Sequence, residues 1–481
     1  MRRIGFSLVL ALQCFMLHSQ ENMGIANSNC APANTIFLNP SSSADSKAFI
    51  DFNIVGASTY VLNDYAYFNS NLLAISREGA AGNETEPLYD RGGAPYSAYV
   101  DVQIHGPSLS VSYGKFGGGL FMNLRSVTSV SGVPAHLANH AENGFDFEDQ
   151  LGNEYTTSNA NIGSLSWLEY GANFSYIISQ SGRDMYTLGG NLKYLNGLAG
   201  AGLNVQKWNY QVQNDSVLNS FEFAGEYGLP NISSDQEGAS GILGNGSGLG
   251  LDLGFNYKKM KKSAQGYLPH AAGKCKLKDY QYKFGLSLLD VGRIGIKNGF
   301  YREFSIEDSL VWENYGDTDP EEVAEIDALI NEELLRLSSD SENSSYRMAL
   351  PTALSAQFDY NFGKGFYANS TLIHGFYRKR KLGVKRNSTF SVTPRYERRQ
   401  LEVALPLTIQ NYQKLRVGAA IRIYSVIFGT DNLGSLIGVG RTYGADFYFS
   451  LKYTMFRPWY CKDKLKRAPK RKKSGVSCPS W

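Results

Sequence analysis

Few side chains in this sequence are spaced for chemistry. Of six histidines, His18 lies in an apolar N-terminal run and five remain: His105, His136, His140, His270 and His374. His136 and His140 stand four apart beside Glu142, a spacing that lets two imidazoles on one helical face share a metal ion. Residues 133–144 (VPAHLANHAENG) nevertheless contain a helix-breaking proline and place no glutamate between the histidines. No metal site is expected. A membrane-embedded hydrolase would need a Ser/His pair at the outer rim, and serine is too abundant for one to stand out. The run 241–250 (GILGNGSGLG) looks like a phosphate loop, but it lacks the Lys-Ser/Thr ending and leads into a strand pattern. No cofactor and no catalytic residue is expected. Outside the N-terminal run, Cys30, Cys275, Cys461 and Cys478 allow three pairings, and Cys461 with Cys478 closes the shortest loop.

The charges that do show a pattern alternate with apolar residues. In 444–456, Phe447, Phe449, Leu451, Tyr453 and Met455 share one face, and Tyr448, Ser450, Lys452 and Thr454 the other. The same period of two runs through 400–410, 415–424 and 251–258, and in weaker form through 48–60, 97–114, 118–129, 164–180, 184–196, 280–297 and 347–378. The polar faces carry Asn191, Lys193, Asp252, Lys258, Asp359, Glu402, Arg416, Arg422 and Lys452. These nine are the candidates for lining an interior. Their mixed signs predict no strong ion selectivity.

Strands of ten or more residues exceed the usual length in a soluble sheet and suit a tilted crossing of about 25–30 Å of hydrocarbon. A soluble sandwich also alternates, with its apolar face inward. Export, strand length and a composition of 50 Gly and 31 Tyr in 481 residues favour the membrane reading. No run beyond the first twenty residues approaches the roughly 20 apolar residues of a membrane helix. The net charge of +3 argues against nucleic acid as a partner. The expected fold is all-β: a single transmembrane antiparallel up-and-down barrel of about 14 strands, within a range of 12–16.

The ends and loops complete the organisation. Residues 1–20 have the charged start and apolar stretch of a cleaved signal peptide. Residues 21–46 form an N-terminal segment able to plug a barrel over 47–456. Residues 457–481 form a basic periplasmic tail. Tight turns are expected at 181–183, 362–365 and 411–414, and long outer loops at 130–163, 228–246, 298–346, 379–388 and 429–443. Residues 302–345 hold fourteen acidic and two basic side chains, with Val323, Ile326, Leu329, Ile330, Leu334 and Leu337 at helical spacing. They predict one acidic helical insertion. Residues 378–399 and 457–473 each hold nine basic residues and one acidic. The first cluster, placed at the outer end, would meet lipopolysaccharide phosphates among the outer-membrane lipid. The tail and the acidic loop are the surfaces offered to a protein partner.

Residues 35–52 (TIFLNPSSSADSKAFIDF) resemble the opening of an uncharacterised family of Bacteroidota outer-membrane β-barrel proteins. Further stretches agree in order: 248–258, 282–299, 346–368, 405–423 and 428–436, the last with Gly-Thr-Asp-Asn-Leu. The resemblance implies a barrel of the fatty-acid-transporter and PorV type, fourteen strands and location in the outer membrane. It implies no substrate and no catalytic residue. Three functions remain open: a porin-like channel or transporter of unknown substrate, or a scaffold; a PorV-like partner in a secretion or assembly complex; and a membrane-embedded hydrolase.

Overall fold

The computed structural model describes residues 22–80, 85–92, 95–231, 245–264, 266–271, 277–307, 309–313, 344–376 and 381–461. Fourteen antiparallel strands close into one transmembrane barrel. They are β1 (Ile50–Asn63), β2 (Tyr96–His105 continued by Ser108–Tyr113), β3 (Phe116–Val133), β4 (Glu154–Ser181), β5 (Asp184–Val212), β6 (Gly246–Met260) and β7 (Tyr280–Ile306). Then follow β8 (Ser344–Ala349 continued by Ala353–Gly363), β9 (Phe366–Gly375), β10 (Thr389–Glu397) and β11 (Leu401–Ala404 continued by Leu407–Gln410). The last are β12 (Lys414–Val417 continued by Ala419–Ile423), β13 (Val426–Thr430) and β14 (Gly444–Met455). Chain neighbours pair around the ring, and β1 meets β14 from Ile50↔Met455 to Leu62↔Gly444.

Alternation builds the wall. On β4, Leu165, Trp167, Glu169 and Asn173 are buried inside, while Tyr170 and Phe174 are exposed on the outside. Leu192, Leu249 and Leu415 show the same outward exposure on other strands. Water disfavours such a surface and hydrocarbon solvates it, while lateral pairing satisfies the backbone.

The structure corrects several boundaries. The pattern over 389–411 contains two strands, β10 and β11, and that over 413–428 contains β12 and β13. The 411–413 turn therefore lies at the long-loop end, not with the short turns at 182–183 and 364–365. Asn411 and Tyr412 both take positive φ there, which makes the turn compact without a glycine. The Gly106-Pro107 break does not leave the wall, because both halves of β2 pair with β1 and β3. Strands β4, β5 and β7 reach 28, 29 and 27 residues, well over the roughly 9–11 that hydrocarbon requires. Their outer ends, with Val217–Pro230 and Leu310–Glu313, continue the wall as a ribbon beyond the barrel. Residues 217–230 carry no strand signal in the sequence reading. Within the acidic insertion expected to be helical over 302–345, residues 302–306 and 310–313 are strand, and the stretch with helical spacing, Val323 to Leu337, lies outside the described residues.

Among the described residues, three α-helices decorate the long loops: α2 (Leu72–Ala80), α3 (Ala135–Asn143) and α4 (Leu433–Ile437). A shorter one, α1 (Pro32–Thr35), precedes the wall.

Candidate functional site

Residues 22–49 lie inside the barrel and are almost wholly buried. Pro32 and Pro40 open α1 and the 3-10 turn Pro40–Ser43, positions where a missing N–H costs nothing. Asn39 caps the second turn by accepting from Ser41 N–H at 3.1 Å. The contacts with the wall are mixed: Ile25 packs on Ala404, Ala420, Ile427 and Tyr448, Met23 and Leu38 on Ala353 and Ile373, and Phe37 on Phe121, while the hydrogen bonds run to polar wall residues. Asn27 donates to Asn369 and Thr371 on β9 at 3.0 and 2.9 Å. Ser28 Oγ donates to Glu402 on β11 at 2.7 Å, Ala33 N–H to Asp51 on β1 at 3.0 Å, and Asn39 Nδ2 to Gln357 on β8 at 2.9 Å. Ser43 and Ser175 hydroxyls share a bond of 2.6 Å. Glycines let the segment approach this closely: a Cβ at Gly189 would stand 2.6 Å from Ser41 backbone, and one at Gly117 2.2 Å from Ala44 N. At the outer end of the segment, Met23 N–H donates to Asp431 at 2.9 Å. Burial, then the neighbouring Asp446, pushes the Asp431 carboxyl up to about 8. Burial likewise raises the thiol of Cys30, which is free.

The half of the lumen at the long-loop end is filled by a second piece of chain. Residues 381–388, in the β9–β10 loop, turn inward with Leu382, Val384, Arg386 and Ser388 buried. Leu382 and Val384 join an apolar cluster with Tyr60, Leu165, Trp167 and Met348. Lys385 N–H donates to Ser129 on β3 at 2.9 Å, so the loop reaches across the mouth.

Asp290 joins the layers. Its carboxylate accepts from Arg125 Nη1 at 3.0 and 3.1 Å, Lys193 Nζ at 2.7 Å and Arg386 Nη1 at 3.1 Å. Its N–H donates to Asp252 at 2.7 Å, and Lys193 also reaches Asp252 at 2.7 Å. Asp290 has φ +51°, at a bulge where β6 and β7 shift register between Leu251 and Leu253. The bulge reverses which parity faces inward: Lys283 and Ser287 before it, Ile294 and Ile296 after it. A cavity of about 40 Å³, lined by Asn22, Phe37, Arg125, Asp290 and Arg386 among others, separates the two fillings.

All nine candidate lining residues are buried on inward faces; seven contact one another or the filling segment, and Asp359 is paired with other wall residues. Asn191 donates to Asp252 at 2.8 Å and to Ile36 O at 3.0 Å. Lys258 pairs with Asp45. Asp359 accepts two bonds from Arg395, at 2.6 and 3.2 Å. Arg422 reaches Glu402 at 3.1 Å and Lys452 reaches Asp51 at 2.7 Å. Arg416 stands apart, with Nη1 buried and unpartnered. Asp51, Arg125, Asp290, Arg386, Arg395 and Glu397 were not among the candidates. Period two finds Arg125 and Arg395; it misses Asp290 at its bulge and Arg386 in its loop.

The basic stretch 378–399 is not one outer patch. Residues 377–380 lie outside the described residues, Arg386 and Arg395 face the lumen, and Arg398 bonds Lys364 O at the short-turn end. Cys461 is disulfide-bonded; Cys478 lies outside the described residues. His136 and His140 sit on α3, and among the described residues no group of three metal-ligating side chains forms. Ser388 Oγ lies 3.4 Å from His374 Nδ1, a nitrogen that also meets Tyr412 OH at 3.1 Å. That arrangement does not activate a serine.

Closed wall, apolar exterior and a polar interior occupied by the chain itself define a transmembrane β-barrel with a filled lumen. The chain belongs to a family of unknown function, DUF5723, whose profile matches residues 40–431. No curated protein matches it in sequence. Among solved structures, the Ralstonia pickettii toluene transporter TbuX is 9% identical with a TM-score of 0.42, covering 92% of this chain and 99% of its own. The Pseudomonas putida toluene transporter TodX is 10% identical (TM-score 0.38; 87% and 91% covered). A Pseudomonas aeruginosa FadL homologue is also 10% identical (0.30; 91% and 98%). Likenesses this distant carry no functional argument.

Proposed function

We propose that the chain is a gated channel or transporter of an outer membrane, its filled lumen the closed state, with the short-turn end toward the periplasm. One observation carries this reading: the lumen is filled by two stretches of chain distant in sequence, and below the mouth the wall meets them through buried serine, asparagine and ion-pair contacts as well as small apolar clusters. If residues 22–49 withdraw, the surface uncovered carries Asp51, Asn369, Thr371, Glu402 and Gln357 among small apolar side chains, and water can solvate those polar groups. A scaffold needs no such lining and is served as well by an apolar core. Cations and anions alternate along the lining, so the open state discriminates weakly between ions. The partner-subunit reading rests on the acidic loop and the basic tail, which lie largely outside the described residues, and no contact favours it.

Planar-bilayer recording tests the proposal. The intact protein is expected to be silent. Deleting 22–46 or shortening 381–388 singly should give rare, brief openings, and both changes together steady conductance with little ion preference. A doubly altered protein that folds, judged by heat-modifiable gel migration, yet never conducts would sink the channel reading.

A further inference from the structure

Outside the wall, α3 leans on the ribbon formed by the outer ends of β4, β5 and β7 with 217–230. Between them lies a cavity of about 480 Å³, whose lining includes Val205, Trp208, Phe223 and Phe304 from the ribbon and Leu137 and His140 from α3. This size falls within the roughly 300–1,000 Å³ of small-molecule sites. The cavity is on the side away from the lumen. Val205 pairs with Gly225, and Gly225 with Phe304, on the outward parity, whereas Asn204 and Glu226 face inward and bond each other at 3.1 Å.

Its height selects the source of a ligand. On β5 the exposed outward band runs from Tyr186 to Tyr194, and Leu203 at the cavity lies nine residues further along the same strand. Nine residues span about 30 Å of strand, or about 20 Å of height at a tilt near 45°. Acyl chains in the bilayer do not reach it. Molecules in the outer medium do.

Three side chains in this otherwise apolar lining carry polar groups: Tyr227, Trp208, whose Nε1 already donates to Ser220 at 3.2 Å, and His140. His140 is 4% exposed, and its Nδ1 lies 3.2 Å from Gly144 O. The carbonyl accepts, so Nδ1 carries the hydrogen and Nε2 is an acceptor. Nε2 is buried and has no hydrogen-bond partner among the described residues. Phe145 stacks on the same ring at 5.0 Å. A ligand that only accepts hydrogen bonds leaves Nε2 unpaired; one that donates satisfies it.

We infer that this groove binds a water-borne apolar molecule with a single hydrogen-bond donor, such as a hydroxyl on an aromatic skeleton, the donor resting on His140 Nε2. Isothermal titration on the full chain in lipid nanodiscs, which avoid competing detergent, tests it with 2-naphthol and its methyl ether. The folded protein is expected to bind the naphthol about tenfold tighter than the ether, since one net hydrogen bond is worth about that factor. His140→Leu should bind both equally, and Ala141→Trp or Leu203→Trp, which fill the groove, should bind neither. Equal binding by the unaltered protein, no binding at all, or naphthol binding unchanged in a folded groove-filled variant would each overturn the inference.

Discussion

Asp290 holds three cations from three parts of the molecule: Arg125 from β3, Lys193 from β5 and Arg386 from the mouth loop. Removing one member of such a buried set leaves the others desolvated and unpaired, at a cost of about 3–5 kcal/mol. Asp290→Asn is therefore expected to lower the melting temperature in detergent sharply. Arg416→Met is the contrast. Arg416 Nη1 is already unpartnered, so its replacement should change stability by under about 1 kcal/mol. Equal losses in the two variants would contradict the assignment. At this scale the sequence showed which strand residues face inward, because a strand's period is two. It could not show Asp290, whose φ of +51° breaks that period, or Arg386, which comes from a loop.

The two fillings follow different rules from the wall. Segment 22–49 fits because small residues face it, so Gly189→Val should displace the Pro40–Ser43 turn. The free, buried thiol of Cys30 reports the displacement. A soluble maleimide should leave the parent protein unlabelled and label the variant; no labelling of a folded variant would mean that the segment tolerates the clash. Helix α3 predicts a pH effect. Burial, then the neighbouring His140, pushes the His136 imidazole down to about 4 from its ordinary 6.5. Between those values the undocked helix binds a proton that the docked one refuses, so docking is complete above 6.5 and weakens as pH falls toward 4. Amide exchange over 135–143 should accelerate through that window. Strand existence and the tight turn at 411–414 were legible, whereas the split at 398–400, the end of the barrel at which the 411–413 turn lies and the strand 217–230 were not. Tertiary pairing, more than local pattern, sets them.

At the scale of the whole molecule, the barrel class follows from the sequence, because every backbone group in hydrocarbon needs a lateral partner and a closed ring provides one; the expected count of about 14 agrees with the fourteen strands, although 389–411 and 413–428 each hold two. The functional reading was less legible. Whether a lumen is open depends on contacts between residues hundreds of positions apart, such as Ser28 with Glu402, and no window of sequence contains them.

The seam has a consequence for biogenesis. Lys452 on the last strand meets Asp51 on the first across 401 positions of chain, and contacts so distant in sequence form slowly. The same Lys452 bonds Asn34 at 3.1 Å, while Ala33 bonds Asp51. Segment 22–49 therefore holds both margins of the seam from within, as a clasp holds two ends of a band. A chain lacking it should form the same ring more slowly, with the folded, heat-modifiable species accumulating late on a gel time course. An unchanged rate would show that the two margins find each other unaided.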